Sequence, residues 1–330
     1  MKSIFSNSGS RSGARPPAAV ELSPQGVLAA ALPALPRTGF RPRGGLPGPG
    51  QPPVYAFEPL PAGVLAPSIS EQNLRAPEQV AGAIRAALGQ VSPRTRSVTL
   101  VLPDTVVRVF FLDFDSLPAK TAEMIPILRF RLRKMVPFDT EHAGVSYQVL
   151  VENKSECRVL AAVIPGSILA EYEAAVREAG YEPGAVLPTS LAALGAIDSP
   201  EPVLTANLSA MALTTSITTG DDLLLYRTLD LPEEPGQRLQ EVQRGVSVAA
   251  AYYEDKLGAR PRLLYYAGIG AGGNSAAEDF ARWIFYSDSP GDSNLTVIDL
   301  APRPETGAAT PLGNAVSLAG VNGALAGASS

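Results

Sequence analysis

One plan of secondary structure occurs twice in this chain, and it restricts the fold more than any single residue does. Residues 18–22 and 27–31 read as two short strands around the turn Ser23-Pro24-Gln25-Gly26, and residues 54–57 add a third extended segment. Residues 76–88 then place apolar side chains at 80, 84, 87 and 88, the spacing of one helix face. Residues 203–208, 213–219 and 223–229 repeat the three short strands, the last two joined by the hairpin signal Gly220-Asp221-Asp222. A long helix follows from near Glu234 to Leu257, then a strand at 262–267, a glycine cluster, a helix at 275–285, a strand at 295–300 and a small-residue helix from Leu312 onward. Strand-strand-strand-helix used twice predicts an α/β protein of two lobes related by internal duplication.

The two copies are separated by a different order. Strand-like segments 97–102 and 106–112 flank Pro103-Asp104-Thr105, and a helix that kinks or starts at Pro126 runs to near Met135 and is stopped by Pro137. Residues 145–151 and 157–163 form a strand pair across Glu152-Asn153-Lys154-Ser155, and a helix at 168–179 ends at Gly180. This ββαββα order predicts an inserted subdomain over 97–180, with 18–96 before it in the first lobe, 181–200 returning to that lobe and 201–330 forming the second.

Two stretches fall outside the plan. Residues 1–17 are rich in Ser, Gly and Arg, without an acidic residue or any periodicity, and are expected to be a disordered basic tail, order beginning at Ala18. Residues 36–53, PRTGFRPRGGLPGPGQPP, support neither a ladder nor a helix and are expected to be a mobile loop. Arg37, Arg41 and Arg43, with the basic groups of the tail, are either ordinary solvated arginines or contacts for anionic lipid headgroups.

Composition excludes several function classes. With 27 Lys+Arg against 32 Asp+Glu the net charge is -5, so the chain is not built to neutralise a phosphate backbone and no nucleic-acid partner is expected. Hydrophobic residues at 45% with 18% charged require a folded core. Cys157 is the one cysteine and His142 the one histidine, which removes internal disulfides, histidine-based zinc sites and, unless His142 is the base, triad-type nucleophilic catalysis. Cys157 begins a strand-like run and reads as a packed side chain. No window reaches the roughly 18 apolar residues of a membrane span, and the N-terminus lacks the apolar core of a signal peptide, so the chain is expected in the cytoplasm.

Three motifs are ambiguous in isolation. Gly268-Ile269-Gly270-Ala271-Gly272-Gly273 follows a strand and precedes a helix, which suits a dinucleotide, a phosphate or nucleoside approaching backbone amides, or a packing turn without ligand; one remaining βαβ unit is too little for a dinucleotide domain. Arg129-Phe130-Arg131-Leu132-Arg133-Lys134 distributes its charges around a helix, which is either a solvated face or a surface for an acidic partner. Phe280 and Trp283, three apart on a helix, read as core.

Taken in order, several blocks resemble the PilM family of type IV pilus assembly proteins, actin-like proteins similar to the cell-division protein FtsA. They are residues 54–86, with a Leu-Pro-x-Gly turn, then Leu102-Pro103-Asp104, Val136-Pro137-Phe138-Asp139, Val145-Ser146-Tyr147-Gln148-Val149-Leu150, and Glu241-Val242-Gln243-Arg244 with Tyr252-Tyr253. Together they span about residues 18–325. The resemblance implies an actin-like, ribonuclease H-like fold of two lobes with an inserted subdomain of the type called 1C. It also implies an aspartate and a glycine-rich loop in each half for metal and phosphates, and here both are altered. Glu21 stands at the first aspartate, followed by Ser23-Pro24-Gln25, and Pro24 has no amide proton to offer; Asn207-Leu208-Ser209-Ala210 replaces the second. Magnesium triphosphate needs carboxylates around its metal, so the degenerate nucleotide site, Glu21, Gln25, Asn207, Ser209, Gly268, Gly270, Gly272 and Gly273, is expected to hold ATP and magnesium weakly or not at all. The implied function is a non-catalytic scaffold peripheral to the inner membrane, coupling the pilus motor to the membrane platform and binding the N-terminal tail of a PilN-like protein. Leu102, Pro103, Val107, Pro137 and Phe138 are the first residues expected at that groove. The alternatives are an active ATPase or sugar-kinase-like enzyme, with Glu21 as the carboxylate near the metal, or the cytoplasmic part of a type II secretion L protein, whose membrane anchor is not expected here.

Overall fold

A computed structural model describes residues 15–33, 52–118, 120–153, 156–268, 276–285, 295–301, 316–326 and 328. The chain forms β1 (Ala18–Ser23), β2 (Gly26–Ala31), β3 (Val54–Pro59), α1 (Pro77–Val91) and β4 (Ser97–Leu102). A 3-10 turn, Asp104–Val106, leads to β5 (Arg108–Phe114), α2 (Thr121–Leu132), β6 (Gly144–Glu152), β7 (Cys157–Ile164) and α3 (Gly166–Glu178). Then come β8 (Glu182–Pro188), α4 (Thr189–Ala193), β9 (Pro202–Leu208), β10 (Ala212–Thr219), β11 (Asp222–Asp230) and α5 (Pro235–Leu257). The last elements are β12 (Leu263–Tyr266), α6 (Ala276–Phe285), β13 (Thr296–Asp299) and α7 (Ala319–Ala326).

The duplication read from the pattern is present in the sheets. One has the order β3-β2-β1-β4-β8 and the other β11-β10-β9-β12-β13. In each, the first three strands in sequence are antiparallel neighbours and the next two join parallel, β1 to β4 to β8 and β9 to β12 to β13. The parallel pairs need crossovers, which α1 supplies between β3 and β4 and α5 between β11 and β12. Packing rather than capping secures α1: no side chain caps its N-terminus, worth about 1 kcal/mol, whereas Val80, Ile84, Leu88 and Val91 are buried at about 1.5–3 kcal/mol each.

The order ββαββα appears between β4 and α3, yet its two ends belong elsewhere. β4 lies in the first sheet between β1 and β8, and α3 packs on α1, so the inserted layer is the small antiparallel sheet β5-β7-β6 with α2 on it. The predicted insertion at 97–180 is therefore too wide at both ends, because strand pattern does not say which sheet a strand joins. Met124, Leu128 and Leu132 of α2 bury against Leu112, Val159, Ala161 and Val163. Pro126 is accommodated inside α2, and the helix stops at Leu132 rather than near Met135. Cys157 is buried, and His142 is exposed with its Nδ1 2.7 Å from Asp139. Phe280 is core, stacked on Tyr266 with ring centroids 4.2 Å apart, while the Trp283 side chain lies outside the described set.

Two ends of the chain also depart from expectation. The described chain begins at Arg15, which is buried and donates from Nη1 to the Gly323 carbonyl at 3.3 Å, three residues before the order expected at Ala18. Helix α7, assigned above to the second lobe, packs in the first, against α4, β1 and β2. Its small residues permit that approach: a Cβ on Gly323 would stand 1.9 Å from the Ala192 carbonyl oxygen. Ala at Gly323 is expected to force α7 away from α4 and cost about 1–3 kcal/mol, read as a lower urea midpoint with unchanged slope. A variant with wild-type stability would show that α7 does not need this contact.

Candidate cleft between the lobes

The turns that end β1 and β9 occupy the same place in their sheets, and they face each other across a cleft of about 700 Å³ including its open mouth. Glu21 and Asn207 are equivalent in that duplication, each two residues before the serine of a four-residue turn, Ser23–Gly26 and Ser209–Ala212. The structure thus brings Glu21, Gln25, Asn207 and Ser209 together, with Asp104, Thr105 and Thr189 beside them. Gly268 is not among the residues lining the cleft; it closes over the Tyr266 ring, where a Cβ would stand 2.2 Å from the hydroxyl oxygen. Gly270, Gly272 and Gly273 lie outside the described residues, as do Arg37, Arg41 and Arg43.

Neither turn presents a row of free amides. Ser209 Oγ accepts from the amides of Met211 at 3.2 Å and Ala212 at 3.0 Å, and the Ser209 amide itself donates to the Ala212 carbonyl at 2.9 Å. Arg238 of α5 donates to the carbonyls of Ala210 and Ser209, the latter at 2.7 Å. In the first turn Pro24 has no amide proton, and Ser23 Oγ donates to the Gly26 carbonyl at 3.1 Å. The described lining contains no lysine or arginine, and among the described residues no group of three His, Cys, Asp or Glu could hold a metal.

The carboxyls are turned inward. Glu21 as a residue is half-buried, but its carboxyl is enclosed: Oε1 lies 3.2 Å from Thr189 Oγ1, and Oε2 is buried without a partner beside Gly320, where a Cβ would come within 2.4 Å of it. Burial pushes the Glu21 acid up to about 8, with the Thr189 hydrogen bond opposing and the nearby Asp104 adding to the effect. Asn207 Nδ2 is likewise buried without a partner. Asp104 is buried and accepts from the Ser190 amide at 2.9 Å and the Ser190 hydroxyl at 2.5 Å, and from the hydroxyls of Tyr226 at 3.3 Å and Thr214 at 3.4 Å. Burial also raises the Asp104 acid, against the pull of those donors.

Of the residues expected at a partner groove, Leu102 and Val107 are fully buried in the first lobe's core, so they offer no surface, and Pro103 lines the cleft. Pro137 is exposed and Phe138 half-buried against the core of the inserted sheet. Asp104, Thr189, Ser190, Thr214, Tyr226 and Arg238 were not anticipated. The one available signal was Asp104 itself, an acid in a two-sided apolar run after Leu102-Pro103.

The Glu21 acid sets a direction for stability against pH. Between about pH 4.5 and 8 the folded chain keeps a proton on Glu21 that the unfolded chain releases, so stability falls as pH rises through that window. Glu21→Gln is expected to flatten this slope: the loss of unfolding free energy from pH 5 to pH 8 in urea titrations should shrink by at least about 1 kcal/mol. An unchanged slope would mean that Glu21 is ionised when folded.

No protein-family model and no curated protein sequence matches the chain. Among solved structures, a chain of the PilM-PilN type IV pilus biogenesis complex superposes with a TM-score of 0.69 at 18% identity, covering 94% of this chain and 98% of its own. The cytoplasmic domain of EpsL, an inner membrane component of the Vibrio cholerae type II secretion system, gives 0.45 at 12% identity, covering 82% and 95%. The ethanolamine utilization protein EutJ from Carboxydothermus hydrogenoformans gives 0.41 at 9% identity, covering 95% and 92%. The first of these likenesses, with both chains covered almost end to end, shows that the chain has the actin-like fold, including the inserted sheet.

Proposed function

We propose that this chain is a non-catalytic scaffold of a type IV pilus assembly platform, working at the inner face of the inner membrane and binding the N-terminal tail of a PilN-like protein. The observation that carries this reading is the end-to-end likeness to a chain of the PilM-PilN complex. The cleft supports the non-catalytic part. A magnesium triphosphate brings several negative charges, and the described lining offers them two inward-turned carboxyls, no cation, and turn amides already used by Ser209. Among the described residues no helix is long and apolar enough to cross a membrane.

We propose the inserted sheet's side as the partner surface; the support is that Pro137 and Phe138 follow α2 there and that Phe130 is 64% exposed and Met135 44% exposed. Recognition would be the ordering of a disordered tail on a preformed apolar surface. Isothermal titration tests the proposal directly, with magnesium ATP in one cell and a synthetic N-terminal peptide of the neighbouring PilN-like protein in the other. The expected result is saturable peptide binding, weakened at least tenfold by Phe130→Ala, about 1.4 kcal/mol, with no heat of ATP binding and no phosphate release. Tight ATP binding with turnover would instead support the active ATPase.

A further inference from the structure

We infer that Asp104 is a positioning residue that latches the two lobes together and so sets the width of the cleft without a ligand. Four donors converge on this one carboxylate. The amide and hydroxyl of Ser190 come from α4 in the first lobe; the hydroxyls of Thr214 and Tyr226 come from β10 and β11 in the second. The turn that carries Asp104 leaves the end of β4, a central strand of the first sheet, and lies against β10 and β11. The Asp104 carboxyl, at the end of a central strand, therefore meets donors from both lobes at once.

Apolar packing and a surface ion pair flank the carboxylate. Leu223 and Tyr226, both on β11 of the second lobe, are buried in the core cluster of the first, so the lobes share a hydrophobic seam around the Asp104 site. Outside the seam, Arg108 of β5 donates to the Thr105 carbonyl at 2.9 Å and pairs with Asp230 at the end of β11 at 3.0 Å. That ion pair is solvent-facing, with Asp230 63% exposed, and contributes little compared with the enclosed hydrogen bonds. Among the described residues its hydrogen-bond partners are hydroxyl and amide donors, and opening the lobes would strip two of the four.

The consequence reaches the cleft. Asp104, Thr105 and Thr189 line it from the first lobe and Asn207 to Met211 from the second, so the latch fixes how far Glu21 stands from Asn207. A protein latched in this way keeps one lobe arrangement whether or not a nucleotide is offered. This goes beyond the scaffold proposal and does not depend on any partner.

Double electron-electron resonance between spin labels at Gln79→Cys on α1 and Ser247→Cys on α5, in a Cys157→Ala background, reads the lobe separation. The expected wild-type result is one narrow distance distribution, unchanged by magnesium ATP. Asp104→Asn, which replaces one accepting oxygen by a donor, and Tyr226→Phe, which keeps the packed ring and removes only the hydroxyl, should each add a longer-distance population, with circular dichroism unchanged. If both variants keep the wild-type distribution, or if ATP shifts the wild-type protein as far as the substitutions do, the latch is wrong. Should Asp104→Asn fail to fold, Tyr226→Phe decides alone. Failure of peptide binding with an intact latch would count against the scaffold proposal only.

Discussion

β1 and β9 are the central strands of their sheets, flanked on both sides by other strands, and the whole cleft depends on what such strands can carry at their ends. A central strand covered on both faces must be apolar along most of its length, and Val20, Leu22, Leu204, Ala206 and Leu208 meet that demand. Each strand admits a large polar side chain near its final turn, Glu21 in one and Asn207 in the other, and each of these leaves a buried polar atom without a partner. Burying such an atom unpaired costs about 1–3 kcal/mol. Two such costs at equivalent positions of a duplicated fold mark the place where the chain has departed from a plain structural core.

The chemistry of that place follows from enclosure. In open water Glu21 would be a carboxylate able to face a cation; against Gly320 and Thr189 it is an acid that keeps its proton toward neutral pH. Ser209 does for the second turn what a ligand would otherwise do, satisfying the amides of Met211 and Ala212. Arg238, on α5, donates to two carbonyls of the same turn. In the second turn the amides of Ser209, Met211 and Ala212 are thus all hydrogen-bonded within the turn itself.

How much of this site was legible varies residue by residue. Glu21, Pro24, Asn207 and Ser209 were legible through the family resemblance, which implies an aspartate and a glycine-rich loop after these strands; the strand pattern by itself located only the turns. Asp104 was readable only as a turn residue, since its meaning comes from Ser190, Thr214 and Tyr226, which are 86, 110 and 122 residues away in sequence. Leu102 and Val107 were read as partner contacts and are core, because a fragment of sequence near a groove looks the same whether its apolar side chains face in or out.

By itself the sequence determined the local elements: the period-two strands, the helical spacing of α1 and α5, the tight turns and the twice-used plan. Those follow from interactions between residues a few positions apart. Only the tertiary structure decided that β4 and β8 complete the first sheet, that the insertion shrinks to β5, β6, β7 and α2, and that α7 returns to the first lobe. It also decided that one buried carboxylate joins the lobes. These outcomes turn on register and burial between segments far apart in the chain, where many pairings satisfy the same local pattern and only the packed whole selects one.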